Sequence, residues 1–181
     1  MRLYYDMHIH SALSPCADND MTPNNIVNMA VLKGLDIISV TDHNSCGNLR
    51  AVMEAAKDTE LLVIPGMEVE TEEEVHVLCY FPSIEGAEKM WDYIRGNMRG
   101  IKNKSEYFGN QFYMDAQDNI IGEEEELLVS AATLSIYEVA AYAKESGGIA
   151  VPAHIDRQSN SVISNLGFMP DDIEFTAVEI T

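Results

Sequence analysis

Short apolar runs alternate along the chain with amphipathic stretches, and this alternation predicts repeated β-α steps. Most of the runs are continuously apolar, which is typical of parallel strands covered on both faces. The pattern therefore predicts an α/β fold with a largely parallel sheet. Strands are predicted over residues 2–8, 36–41, 61–65, 75–81, 148–152 and 175–180.

Local capping signals mark the helices between these strands. Thr22 and Pro23 supply an N-cap and a first-turn proline, and Gly34 ends that helix. Ser135 and Glu138 have the spacing of a capping box. Helices are predicted over residues 23–33, 47–57, 85–104 and 135–144.

Residues 85–130 interrupt the alternation within what we interpret as a single domain over residues 1–181. The part from 107 to 128 has no clear period and is interpreted as a small inserted subdomain or lid. The last predicted strand reaches the end of the chain without a covering helix. We therefore expect a barrel-type domain that is cut short after its sixth strand.

The chain is strongly acidic, with 30 acidic and 11 basic side chains and a formal charge of -19. Such a charge disfavours long nucleic acids and anionic membranes as partners, although a small anion held by metal ions stays compatible. Three widely spaced cysteines argue against a disulfide framework. Because no apolar run approaches the ~18 residues of a membrane span, we expect a cytoplasmic protein. The oligomeric state stays open.

The five histidines lie near the ends of predicted strands, beside other metal-binding residue types. Neutral imidazole is a common ligand of divalent transition metals, and the strand ends of an α/β barrel meet on one face. The pattern therefore predicts a metal site. His76 comes early in its run, so either that strand starts later or the site reaches down into the barrel. The histidines are His8 and His10 in D-M-H-I-H, His43 in T-D-H-N, His76 in E-V-H-V and His154 in P-A-H-I-D-R.

Polar residues beside these histidines are further candidates. Asp42 and Glu68 follow apolar strands, which favours metal ligation or the orienting of a histidine over a helix cap or a surface role. Asn44 is a candidate for a residue that supports the metal ligands or contacts the substrate. The Arg157 guanidinium suits two phosphate oxygens, and pairing with a surface carboxylate is the equal alternative.

Two cysteines, Cys16 and Cys46, also come close to these loops. A thiolate would favour zinc, but buried or inert thiols are the commoner case. Both are left out of the predicted site.

The segment D-M-H-I-H-S-A-L-S-P-C-A-D-N-D-M-T-P resembles the first motif of the PHP (polymerase and histidinol phosphatase) domain family, an H-x-H followed by a third ligand. T-D-H-N, G-M-E, V-H-V-L-C-Y-F and P-A-H-I-D-R resemble the motifs that follow, so the resemblance covers essentially the whole chain. It implies a distorted (β/α)7 barrel. It also implies up to three divalent ions, as zinc, manganese or iron.

The resemblance also implies a division of ligands in which Glu68 bridges two ions. Asp18 takes the third-ligand position of the first motif, with Asp20 as a nearby alternative. The final Asp-x-His motif of the family has no counterpart before residue 181. We therefore expect this chain to bind fewer than three ions, or to bind them more weakly. The implied sets are His8, His10 and Glu68 for the first ion, Glu68, His76 and His154 for the second, and Asp18 and His43 for the third.

The implied function is a metal-dependent phosphoesterase that hydrolyses a small phosphate ester through a metal-activated water, with catalytic roles for Glu68 and Arg157. A rival is an amidohydrolase-like metal hydrolase, but such enzymes usually add a bridging lysine and no lysine lies at a predicted strand end. A non-catalytic or regulatory PHP domain would commonly show eroded ligands. A structural zinc protein would need closed four-ligand sites. The substrate stays open.

Overall fold

The computed structural model describes residues 2–180 and shows a mixed α/β fold, as the pattern predicts. The strands are β1 (Tyr5–Ile9), β2 (Ile37–Val40), β3 (Leu62–Val63), β4 (Gly66–Glu70), β5 (His76–Tyr80), β6 (Phe112–Met114), β7 (Ile120–Glu123) and β8 (Ile149–Pro152). The helices are α1 (Pro23–Lys33), α2 (Leu49–Ala56), α3 (Ile84–Arg95), α4 (Ser105–Phe108), α5 (Ile136–Glu145) and α6 (Val162–Leu166). None of the helices over these residues is long and apolar enough to cross a membrane.

The first sheet, in the order β1-β2-β3, is parallel as predicted. Helix α1 begins where the Thr22 hydroxyl accepts a hydrogen bond from the Asn25 amide, and it ends at Gly34 with φ 72°. Positive φ favours glycine at this position. These local signals set where α1 begins and ends, between β1 and β2 in the chain.

The second sheet, in the order β4-β5-β8, is antiparallel, so the expectation of a largely parallel sheet is wrong for this half. Strand β4 lies between the strands predicted over 61–65 and 75–81, where the sequence pattern predicts none. Only residues 71–75 join β4 to β5, which is too short for the crossover that a parallel pair requires. All five residues of β4 are buried.

The two sheets meet at a single parallel bridge between His43 and Glu68. The Asn44 amide donates to the Glu68 carbonyl at 2.7 Å, and the Glu68 amide donates to the Asp42 carbonyl at 3.1 Å. Over the described residues the strand ladders do not close into a ring. The bridge places the loop after β2 directly against the middle of β4.

The remaining expectations differ at two elements. The helix predicted over 85–104 ends at Arg95, because Gly96 and Gly100 follow and Gly100 adopts φ 68°. The strand predicted over 175–180 joins no ladder. Its Glu179 still exchanges two backbone hydrogen bonds of 3.0 Å with Pro152 and Ile155, beside β8.

The interrupting segment contains α4 and the antiparallel β6-β7 hairpin. The Asn48 side chain holds this hairpin against the β2 side of the molecule, donating to the Phe112 carbonyl at 3.0 Å and accepting from the Met114 amide at 2.8 Å. The Phe112 amide also donates to the Ala12 carbonyl at 2.9 Å. The insertion therefore supports the loop that follows β1.

Candidate metal centre

All five histidines converge on one buried carboxylate, that of Glu68, whose side chain is 1% exposed. Glu68 lies in the middle of β4, on the side that faces the end of the first sheet. Each oxygen has imidazole nitrogens nearby. Oε1 is 3.2 Å from His8 Nε2, 2.9 Å from His76 Nδ1 and 3.3 Å from His154 Nε2, and Oε2 is 3.3 Å from His10 Nε2 and 3.2 Å from His43 Nδ1.

These contacts do not satisfy all the buried polar atoms. Glu68 Oε2, His43 Nδ1 and His154 Nδ1 are buried without a hydrogen-bond partner among the described residues. Buried polar atoms are normally hydrogen-bonded, so such a group of orphaned lone pairs calls for an explanation. A cation between the nitrogens and the carboxylate would provide one, and imidazole with carboxylate is a donor set that suits divalent transition metals.

Two of the three predicted ligand sets are brought together. His8, His10 and Glu68 offer ligand atoms that all lie within 4.8 Å of one another. His154 Nε2 lies 3.3 Å from Glu68 Oε1 and from His76 Nδ1, so the second set is also in place. Their roles as ligands stay predictions.

The third predicted set is not brought together. Asp18 is exposed, and its Oδ1 accepts a hydrogen bond of 2.9 Å from the Asp20 amide. It belongs to none of the three- or four-residue ligand groups found over residues 2–180, and neither does Asp20. His43 instead groups with His10 and Cys16, whose ligand atoms lie within 4.8 Å of one another. Cys16 was left out of the predicted site because buried or inert thiols are the commoner case.

Strand direction explains how His76 reaches the centre. His8 and His10 lie at the end of β1, and His43 follows β2. Strand β5 runs antiparallel to β8, so its first residue lies beside the end of β8, where the Ala153 amide donates to the His76 carbonyl at 3.0 Å. A strand that starts at His76 therefore presents it at the same edge at which parallel strands end.

Asp42 lies behind the His10 ring and the His43 backbone, and it reaches both through Ser14. Its carboxylate accepts hydrogen bonds from the Ser11 amide at 2.7 Å, the Ser11 hydroxyl at 2.6 Å and the Ser14 hydroxyl at 2.7 Å. Ser14 Oγ lies 3.1 Å from His10 Nδ1 and accepts from the His43 amide at 3.0 Å. Through Ser14, Asp42 holds the His10 ring with its Nε2 toward Glu68.

Asn44 is buried, and its amide group is fully used inside the protein. Nδ2 donates to the Leu128 carbonyl at 2.7 Å and the Ser130 carbonyl at 3.0 Å, and Oδ1 accepts from the Glu70 amide at 3.1 Å. Its φ of 48° is a left-handed conformation that asparagine tolerates better than most residues. The side chain therefore fixes β4 rather than facing a ligand.

Glu179 is a contributor that the sequence interpretation missed. Its two carboxylate oxygens lie 2.9 and 3.0 Å from His8 Nδ1, and Oε2 also accepts from the His154 amide at 2.8 Å. His154 has φ 29°, an uncommon conformation for a residue with a side chain, and this hydrogen bond helps to hold it. The only sequence signal was a carboxylate in the last apolar run, which strand alternation alone does not assign.

Arg157 lies in the exposed turn after His154. Its amide donates to the His154 carbonyl at 2.9 Å, and its own carbonyl accepts from the Ser161 hydroxyl at 2.9 Å. The guanidinium makes no ion pair within the part of the chain that the structure describes. The predicted surface pairing is therefore not formed, and a contact with substrate stays a prediction.

With this geometry established, the PHP domain family matches residues 6–138, which is most of the chain. The chain belongs to the PHP domain family. Two curated relatives are also similar over part of their length. This PHP domain is 34% identical over 96 residues to an uncharacterized protein of Methanocaldococcus jannaschii, covering 53% of this chain and 12% of that protein. It is 30% identical over 67 residues to a 5'-3' exoribonuclease of Haemophilus influenzae, covering 37% of this chain and 23% of the enzyme.

Two solved structures share the fold of this PHP domain. A lesion-specific endonuclease of Pyrococcus furiosus aligns with a TM-score of 0.76 at 21% identity, over 99% of this chain and 42% of the endonuclease. A provisionally assigned metal-dependent phosphoesterase of Bifidobacterium adolescentis aligns with a TM-score of 0.68 at 21% identity, over 99% of this chain and 77% of that protein. At this identity the likeness establishes the fold alone.

The charges of the PHP domain centre are coupled through Glu68. Burial alone would raise the pKa of Glu68, but the neighbouring imidazoles of His10, His154, His76 and His8 hold it well below its usual range. Burial opposes protonation of His8, but Glu179 and Glu68 outweigh it and raise the pKa of His8 to about 9. Glu68 and Glu70 likewise raise the pKa of His76 to about 9 against the effect of burial. Positive charge is therefore favoured beside Glu68.

His43 is the exception among these imidazoles. Burial lowers its pKa to about 3, and the nearby Glu68 carboxylate only partly opposes this. A neutral imidazole has a free lone pair, which is the form that binds a metal ion. His43 is thus held in the ligating form over the ordinary pH range.

Proposed function

We propose that this PHP domain is the catalytic part of a metal-dependent phosphoesterase that acts on a small phosphate ester. The observation that carries the proposal is the buried Glu68 carboxylate among five imidazoles, with orphaned lone pairs on Glu68, His43 and His154. Divalent zinc, manganese or iron, held by these residues, would neutralise phosphate oxygens and activate a water molecule. A chain of formal charge -19 needs such cations to attract a phosphate.

The chain's own residues would position the reacting groups. Glu68 would join the two ligand sets, because its Oε1 lies near His8 of the first set and near His76 and His154 of the second. Its Oε2 lies near His10 of the first set. Asp42 and Glu179 hold the rings of His10 and His8 from behind, which preserves the direction of their Nε2 atoms. Arg157 lies in the exposed turn that follows His154, and its guanidinium would bind two oxygens of a phosphate.

The lysines favour a phosphoesterase over an amidohydrolase-like hydrolase. Amidohydrolases that use two metal ions usually bridge them with a lysine or a carboxylated lysine. All six lysines of this chain are exposed. Glu68 would take the bridging position instead.

A phosphodiester substrate is the second candidate, because one relative is an exoribonuclease and one structural neighbour is a lesion-specific endonuclease. The chain matches less than half of each of those proteins, so their nucleic-acid contacts are not carried over. The negative charge still favours a short or small substrate for this chain. We further propose that the two sheets form part of a distorted (β/α)7 barrel.

The test is hydrolysis of a panel of phosphomonoesters, short phosphodiesters, amides and lactones by protein reconstituted with each metal in turn. We expect phosphomonoester hydrolysis that a chelator abolishes and added metal restores. Hydrolysis of phosphodiesters alone would move the proposal to the second candidate. Turnover of an amide or lactone with no phosphate ester cleaved would overturn both.

The role of Arg157 is tested by Arg157→Ala, with the exposed Arg99 replaced in Arg99→Ala as the matched control. We expect the KM for the phosphomonoester to rise about tenfold in the first variant, since one charge-assisted contact contributes roughly 1.5 kcal/mol. The control should leave KM unchanged. An unchanged KM and kcat in Arg157→Ala would contradict the phosphate contact.

A further inference from the structure

Cys16 is the free thiol that the fold brings to the metal centre. Its Sγ forms a group with one ring nitrogen each of His10 and His43, and the three atoms lie within 4.8 Å of one another. Cys46 and Cys79, the other free cysteines, are buried among apolar side chains. The sulfur of Cys16 is therefore placed differently from the other two.

The loop that carries Cys16 is held in place on several sides. Ser11 and Ser14 are bound to the Asp42 carboxylate, and the Ala17 amide donates to the Ser14 carbonyl at 2.9 Å. The insertion presses on the same loop, since a Cβ at Gly109 would lie 2.3 Å from the Pro15 carbonyl oxygen. Cys16 is thus set in position by contacts that do not involve its own sulfur.

Asp18, the residue that the first motif suggests as third ligand, is engaged elsewhere. Its Oδ1 accepts from the Asp20 amide at 2.9 Å, and its carbonyl accepts from the Met21 amide at 2.9 Å. These bonds form the turn that leads into α1. The turn leaves the Asp18 carboxylate exposed and outside the groups of ligand atoms.

His43 supplies an independent indication that something binds here. Its side chain is only 7% exposed, and its Nδ1 has no hydrogen-bond partner within the described residues. Its ring stacks on that of His10 with centroids 4.5 Å apart, so the two imidazoles face the same space. An imidazole buried in this way is expected to bind a partner, and the sulfur of Cys16 lies within 4.8 Å of a ring nitrogen of each of the two histidines.

We propose that Cys16 and His43 hold a divalent ion beside His10, whose Nε2 stays with the first ligand set, and that the Cys16 sulfur is the ligand in place of the Asp18 carboxylate. The proposal rests on the metal binding of the proposed function and not on its chemistry of hydrolysis. Binding forms a sulfur-metal bond and releases the thiol proton to solvent. A thiolate favours zinc, cobalt or iron over manganese and magnesium, so this position is selective for softer ions than the carboxylate-rich positions around it.

The test is a titration of the metal-free protein with cobalt(II), followed by absorption. Cobalt bound to a thiolate gives a near-ultraviolet charge-transfer band, which imidazole and carboxylate ligands do not give. We expect the band to appear in the wild-type protein and to be lost in Cys16→Ser. The affinity of the weakest bound cobalt should fall at least about tenfold in that variant.

Three further variants make the result specific. Cys79→Ala, which removes a buried thiol away from the centre, should keep the band. Asp18→Asn should keep both the band and the affinity. Cys16→Asp should lose the band but keep the ion, with its preference moved toward manganese. Circular dichroism of each variant checks that the fold is retained.

Two outcomes would overturn the proposal. One is cobalt binding at full stoichiometry with no charge-transfer band in the wild-type protein. The other is a loss of one bound ion in Asp18→Asn with no loss in Cys16→Ser. Neither outcome depends on which ester, if any, the protein hydrolyses, so the proposed function is judged separately.

Discussion

The two three-stranded sheets bring residues to the same centre by opposite means. The parallel sheet β1-β2-β3 contributes His8, His10 and His43 from the carboxyl ends of its strands. The antiparallel sheet β4-β5-β8 contributes Glu68 from the middle of a strand, His76 from a strand start and His154 from the residues after a strand end. A parallel sheet collects residues at one kind of strand end, whereas an antiparallel sheet collects them at alternating ends.

The two sheets also differ in the residues that hold their histidines in position. Ser14 and Asp42, at the ends of the parallel sheet, hold His10 through side-chain hydrogen bonds within that sheet's own loops. His154 is held by Glu179, which lies outside both ladders and also contacts His8. The antiparallel half therefore depends on a segment outside both strand ladders, and Glu179 and Glu68 contact histidines of both halves.

The strongest test of this junction is Glu68→Gln, which removes the charge that all five imidazoles share. We expect phosphomonoester turnover to fall at least about 100-fold and bound metal to fall by at least one equivalent, because an amide cannot bridge two cations. Elemental analysis and steady-state kinetics measure the two effects. The exposed Glu72 provides the control variant Glu72→Gln, in which both should be unchanged. Full metal content in Glu68→Gln would show that the two sheets do not depend on Glu68 to form one metal centre.

Glu179→Gln tests the support that spans both halves. We expect metal affinity to fall about 10- to 100-fold, because loss of the carboxylate behind His8 weakens that ligand. Nuclear magnetic resonance of the metal-free variant should show the pKa of His8 moving down from about 9. Glu174→Gln is the control, since Glu174 makes only an exposed pair with Lys144. A His8 pKa that does not move would mean that Glu179 has only a structural role.

Asn44→Ala tests how the antiparallel half is fixed to the rest of the protein. The substitution leaves the carbonyls of Leu128 and Ser130 and the Glu70 amide without their partner. We expect the free energy of unfolding to fall by about 2–4 kcal/mol in denaturant titrations. Asn165→Ala, at an exposed asparagine, should lower it by less than about 1 kcal/mol. Equal losses of unfolding free energy in the two variants would argue against a special role of Asn44 in fixing the antiparallel half.

The pH dependence of the metal-free protein separates imidazoles within the cluster. In the folded protein the pKa values of His8 and His76 are about 9, above the ordinary 6.5. Their contribution to the free energy of unfolding is therefore complete below about pH 6.5 and is lost as the pH rises to about 9. In the folded protein the pKa of His43 is about 3. Its contribution to the free energy of unfolding is therefore complete above about pH 6.5 and is lost as the pH falls toward 3.

Unfolding free energies of chelator-treated protein should therefore pass through a maximum near about pH 6.5. His8→Gln should flatten the alkaline side, and His43→Gln the acidic side. A stability that rises steadily from neutral pH to about pH 9 would contradict the assigned charges. This is the smallest expected effect, because bound metal would mask it.

Local patterns predicted those parts of the fold that depend on neighbouring residues. The Thr22 cap, the Gly34 stop and the Ser135 and Glu138 capping box all form as expected, since each is decided within a few residues. Strand β4 was missed because its Glu68 and Glu70 are buried by contacts with distant residues, which sequence periodicity does not record. Asp18 was taken as the third ligand from the resemblance of the first motif, and only the folded loop shows that the Asp18 carboxylate accepts a hydrogen bond within its own turn.

By itself, the sequence singled out the five histidines and Glu68, which the fold brings together, because imidazole and carboxylate side chains at strand boundaries have few other uses in such numbers. Only the tertiary structure decided how they combine. The reversal of β5 brings His76 to the edge where β1 and β2 end, and the bridge between His43 and Glu68 sets one carboxylate among five rings. Those relations depend on strand direction and on contacts between residues far apart in the chain, and both are set only when the core packs.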